Sequence, residues 1–143
     1  LPAGEAFLAP LEGTAQGQLV LDWAPTRKLN SPVTLRVVDG MAIEARGEDE
    51  FSDEINARLA EDPRKGNIAE LGIGTNDKAT RPDNILETEK ILGTIHIAIG
   101  DNSTFGGRVS VPFHQDFIFF DPTLTATREG EKIELLKDGE PCF

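Results

Sequence analysis

Thr94-Ile95-His96-Ile97-Ala98-Ile99 is the stretch on which the fold turns. Its alternation has the period of a strand, in which successive side chains point to opposite faces. Ile95, Ile97 and Ile99 therefore share a core face, and Thr94, His96 and Ala98 share the other. Working outward, 68–73 reads as a short strand and 85–92 as a short helix entered through Pro82-Asp83. Further strands are expected over 109–111, 116–120, 124–128 and 132–136, with Glu129-Gly130-Glu131 turning between the last two. Upstream, 19–23 is strand-like, and 33–38 and 41–45 flank Asp39-Gly40, a strong hairpin signal. Phe51, Ile55 and Leu59 fall four apart, so 49–59 is expected to be an amphipathic helix, ended by Pro63 and Gly66. The expected fold is α+β: a strand-rich mixed sheet, open to a barrel-like curl, with two inserted helices.

The length of 143 residues and 38% hydrophobic content suit one domain with one core. No low-complexity tract or repeat divides the chain. It begins at Leu1, and its one methionine is Met41, so the expectation is the C-terminal part of a longer two-domain protein with a preceding N-terminal domain. No apolar run reaches the 18 residues of a membrane span. The single cysteine, Cys142, cannot form an internal disulfide, and a cytoplasmic setting is expected. A net charge of −11 offers no basic stripe for a phosphate backbone, which argues against nucleic acid as partner. Most acidic side chains, such as Glu48-Asp49-Glu50, are read as a solvated face.

The chemistry concentrates in a few positions. The two histidines, His96 and His114, both fall in strand-like segments. In His114-Gln115-Asp116 the outer residues lie two apart, so a strand directs both to one side, where they could chelate an ion. Such a pair is more often a surface hydrogen bond. Its context is Glu70, a carboxylate inside Ile68-Ala69-Glu70-Leu71-Gly72-Ile73. An ionised carboxylate among apolar neighbours must be paired, bound to metal or neutralised. A salt bridge to a basic residue is the plainer of these answers.

Four motifs in order add a resemblance: Leu1-Pro2-Ala3-Gly4-Glu5-Ala6-Phe7 with Ala9-Pro10; Ala69-Glu70-Leu71-Gly72-Ile73-Gly74-Thr75-Asn76; Leu92-Gly93-Thr94-Ile95-His96-Ile97-Ala98-Ile99-Gly100; and His114-Gln115-Asp116. Together they resemble the metal-binding domain of the thermophilic metallo-aminopeptidases of the aminopeptidase T type. The resemblance runs from Leu1 to about Pro122. It implies metal ligation by Glu5, Glu70, His96, His114 and Asp116, and adds Glu5, which residue patterns alone do not single out.

That family implies two divalent ions, of zinc, cobalt, manganese or magnesium, which this donor set suits. Three carboxylates against two dications leave one positive charge, which a bridging hydroxide would cancel. The hydroxide would attack a peptide bond, removing N-terminal residues from a peptide substrate, and a homodimer is the expected assembly. Glu5 and Ser103 are the catalytic candidates, Ser103 in the polar loop Asn102-Ser103-Thr104 close to His96. The chain departs from the pattern at Gly4, where a second glutamate is usual, and at Ser103, where a tyrosine is usual. Those departures point to an alternative: relatives of the fold that hold one non-haem iron and cleave dihydroxypyridine rings with oxygen, a small-molecule substrate. Histidines with one carboxylate leave open positions on iron for such work. A third reading is a non-catalytic domain for metal binding or dimerisation.

Overall fold

The computed structural model describes residues 4–80 and 84–143. Leu1, Pro2 and Ala3 of the opening motif, and the Pro82-Asp83 helix entry, lie outside the described residues. In chain order the elements are β1 (Glu5–Leu8), β2 (Gly17–Ala24), β3 (Arg27–Val38), β4 (Met41–Arg46), α1 (Phe51–Glu61), a 3-10 turn (Pro63–Gly66), β5 (Ile68–Gly74), α2 (Ile85–Thr88), β6 (Ile95–Gly100), β7 (His114–Phe119), β8 (Leu124–Arg128), β9 (Glu131–Lys137) and β10 (Glu140–Pro141). They form three sheets, ordered β1-β5-β6-β7, β2-β3-β4 and β10-β9-β8.

The strand-rich α+β expectation stands, with two corrections. Every strand pair among the described residues is antiparallel, so the sheets are not mixed, and none closes into a barrel. The physical reason is short connections: hairpins join β2 to β3, β3 to β4 and β8 to β9, and hairpins need no crossover. The Asp39-Gly40 turn has positive φ at both residues (48° and 77°), as does Glu129-Gly130 (54° and 86°), which matches the right-handed twist of the flanking strands.

The second helix is shorter than 85–92 and ends at Thr88. Residues 109–111 form no strand. There the Asp101 carboxylate accepts from the Val111 N–H at 2.9 Å and the Asn102 side-chain carbonyl from the Val109 N–H at 2.9 Å, so side chains take the place of a ladder.

The core lies between β2-β3-β4, α1 and one end of the four-stranded sheet, where Leu21, Val33, Leu35, Phe51, Ile55, Ile99 and Phe117 are buried together. The entry to α1 is fixed by Asp49. Its carboxylate takes two bonds from Arg27, at 2.7 and 3.0 Å, and one each from the backbone N–H of Asn30 and Phe51. On the isoleucine face of β6 Ile99 is fully buried and Ile97 packs against the core while part-exposed, as is Ile95, whereas His96 and Ala98 on the opposite face are fully buried. The polar face is the more enclosed one. No helix among the described residues is long and apolar enough to cross a membrane.

Candidate metal centre

All five predicted ligands stand on one face of the β1-β5-β6-β7 sheet. Glu70, Ala98 and Asp116 are partners in one row across three strands; Gly72, His96 and Ile118 form the next. His114 pairs with Gly100, and Glu5 with Gly74. Cross-strand partners share a face, so the rows gather carboxylates and imidazoles over a floor of Gly72, Gly74, Ala98 and Gly100. A β-bulge at Ala69 makes this possible. Ile68 pairs with Ile99, yet Glu70 pairs with Ala98, so one extra residue turns Glu70 away from the isoleucine face and onto that of His96.

The small floor residues are a physical requirement. A Cβ on Gly72 would fall 1.9 Å from His96 Nε2, so the imidazole lies in space that only glycine leaves. From there His96 Nε2 is 3.2 Å from Glu70 Oε1 and 3.5 Å from Glu5 Oε2. His114 Nε2 approaches the other oxygen, Glu70 Oε2, at 3.4 Å, and Asp116 Oδ1 at 3.6 Å. Its Nδ1 is 2.8 Å from the Asp101 backbone carbonyl; an N–H donating there directs Nε2 at the carboxylates.

Burial pushes the Glu70 carboxyl up, but hydrogen bonds from His114 and His96, and their charges, outweigh it and hold the group at about 2. The Asp116 and Glu70 carboxylates raise His114 to about 10. Burial disfavours the charged form of His96, yet Glu70 with the charges of Asp116 and Glu5 leaves it raised as well. Each imidazole is a strongly held proton donor facing a carboxylate, the arrangement in which a cation replaces protons.

Two groups bring their ligand atoms within 4.8 Å of one another: Glu5, Glu70 and His96; and Glu70, His114 and Asp116. Glu70 belongs to both. Carboxylate and imidazole donors fit a borderline divalent ion, and His96 Nδ1, buried without a hydrogen-bond partner, leaves Nε2 as the nitrogen engaged with the site.

Ser103 is not among them. It lies in the exposed turn after β6, where its Oγ donates to Asp101 Oδ1 at 2.9 Å. Glu5 is shared with a cation that residue patterns missed. Lys90 Nζ donates to Glu5 Oε1 at 3.2 Å and to Glu89 Oε1 at 2.5 Å, and all three side chains are largely buried. A lysine after a short helix carries no sequence signal for this role. Gly72 and Gly74, alternating with Leu71 and Ile73 next to Glu70, were a legible signal of a floor without side chains. Phe105 stands edge-on to His114 at 6.0 Å and to Phe7 at 5.6 Å, forming an aromatic wall beside the ligands.

No protein-family model matches the chain, and no curated protein matches it. Among solved structures, 2,5-dihydroxypyridine dioxygenase from Pseudomonas putida KT2440 has the same fold, with a TM-score of 0.80 and 21% identity over 98% of this chain. The match covers 44% of that chain, so the present sequence spans less than half its length. This likeness overturns the aminopeptidase resemblance, and with it the hydrolase and protease readings: that solved structure is of a dioxygenase, an oxidoreductase. The four motifs mark where side chains meet on this sheet, and chemistry is not set by a scaffold.

Proposed function

We propose that this chain is the metal-binding part of a mononuclear non-haem iron dioxygenase that opens hydroxylated aromatic rings of the dihydroxypyridine type. The observation that carries the reading is the convergence of His96 and His114 Nε2 on the two oxygens of Glu70, with Asp116 beside them. Two imidazoles and one carboxylate leave positions open on iron(II) for dioxygen and a substrate. Either Glu70 or Asp116 supplies that carboxylate, and the other hydrogen-bonds to the ligands. The likeness to 2,5-dihydroxypyridine dioxygenase supports the substrate class.

Iron(II) held here would supply the oxygen chemistry that a protein side chain cannot. The chain's own residues bind and orient. Asp101 fixes the His114 ring through its backbone carbonyl, Gly72 leaves room for the His96 ring, and Phe105 with Phe7 offers an aromatic edge to a planar substrate. A preceding N-terminal domain and a homodimeric assembly complete the proposal.

The test is oxygen uptake and loss of ring absorbance with 2,5-dihydroxypyridine, using protein loaded with iron(II) without air. Uptake that is matched by ring opening, and absent in His114→Ala, is expected. Iron-loaded protein that leaves the ring intact would sink the substrate assignment.

A further inference from the structure

Besides the histidines, the carboxylates of this site face a second kind of cation. Lys90 follows α2 and is pinned by its backbone: its carbonyl accepts from the Asn76 N–H at 2.8 Å and its N–H donates to the Glu87 carbonyl at 3.0 Å. Its side chain is 11% exposed and its ammonium bridges Glu89 and Glu5. The other oxygen of Glu5 is the one that faces His96. An ion drawing on Glu5, Glu70 and His96 would therefore share the Glu5 carboxylate with a fixed positive charge. Among the described residues, no lysine or arginine pairs with Asp116 or His114 in the neighbouring group.

Resting on the metal reading above, we propose that Lys90 limits this centre to one divalent ion: it occupies Glu5 and keeps a second ion out of the Glu5, Glu70 and His96 position. Two like charges sharing one carboxylate in a partly buried site repel strongly, because little water screens them. Removing the ammonium frees both Glu5 and Glu89 while leaving the fold's backbone bonds at residue 90 in place. The unbranched, uncharged side chain of methionine would fill similar space. The same reading makes Glu5 a partner of Lys90 and not a ligand in the native chain.

The test counts bound metal with manganese(II) as the probe, by equilibrium dialysis and elemental mass spectrometry on the full chain. One equivalent is expected for the wild type, two for Lys90→Met, and one for Lys90→Arg, which keeps the charge. Glu5→Gln should retain its single equivalent, and this arm does not depend on whether Lys90→Met folds. One equivalent in a Lys90→Met protein with wild-type circular dichroism overturns the proposal, as does loss of the ion in Glu5→Gln. Two equivalents in the wild type overturn it while leaving a metal site in place. No metal in the wild type overturns the underlying metal reading itself.

Discussion

Glu70 is the residue whose surroundings explain most of the site. It is a carboxylate that accepts from two imidazoles at once, one on each oxygen, and holds its charge to about pH 2 although burial works against it. The sequence marked it as a carboxylate needing a partner, and a salt bridge to lysine or arginine was the plainer answer. The partners are histidines, which were legible as candidates because each stands in an alternating strand. What the sequence could not supply was the side Glu70 faces. Regular alternation from Ile68 would have put it on the isoleucine face, and only the bulge at Ala69 reverses this.

Two predictions belong to this scale. His114 is protonated up to about pH 10, and a metal ion must displace that proton. Metal affinity should then rise with pH across the neutral range, by about tenfold per unit for each proton released. Calorimetry in buffers of different ionisation enthalpy should find at least one proton released per ion; none released would contradict the hydrogen-bonded arrangement. In the absence of added metal the sign for stability is opposite. A raised His114 contributes fully below its unfolded value near 6.5 and loses that contribution as pH rises through about 10. Gly72→Ala should push the His96 ring from its place and weaken metal binding by about 10- to 100-fold, the range seen when a ligand's supporting contacts are lost. Metal titration of that variant checks this, with circular dichroism to show that the sheet survives.

At the scale of elements, hairpins and the amphipathic helix were the most legible parts, since each depends on a local pattern. Asp39-Gly40 turns where it should, and Phe51, Ile55 and Leu59 do line the buried side of α1. Segments held by side chains were not legible: 109–111 looks like a strand, but Asp101 and Asn102 take its N–H groups. Gly40→Ala should destabilise the chain by about 1–2 kcal/mol from the left-handed backbone alone. A close approach to the backbone of Gly13, 2.4 Å from the new Cβ, adds to that cost. Denaturant unfolding would measure it.

The start of α1 gives a pH prediction. Arg27, with the backbone N–H groups of Phe51 and Asn30, holds the Asp49 carboxyl well below the usual carboxylate range. A depressed group stabilises above its unfolded value, near 3.9, and loses that stabilisation as pH falls through the folded value. Asp49→Asn should therefore lower the melting temperature by several degrees at neutral pH, with the gap to wild type closing in acid. A gap that stays constant down to pH 2 would contradict the ion pair's role.

For the whole molecule, one of three antiparallel sheets gathers five ligand candidates from its four strands on one face, and that assembly was read from sequence only through the order of four motifs. The motifs singled out carboxylates and histidines that the sheet brings together, and the chemistry attached to them was the wrong one, because such a cluster serves hydrolysis and oxidation alike. The ion count and the electrons it carries decide between such chemistries, and neither is written in residue spacing. The measurement that bears most directly on this is the iron content of protein purified without air, chelators or a histidine tag, compared between the wild type and His114→Ala. About one iron per chain in the wild type and little in the variant is the predicted result. Iron retained at the same level in a folded His114→Ala protein would contradict the centre proposed here.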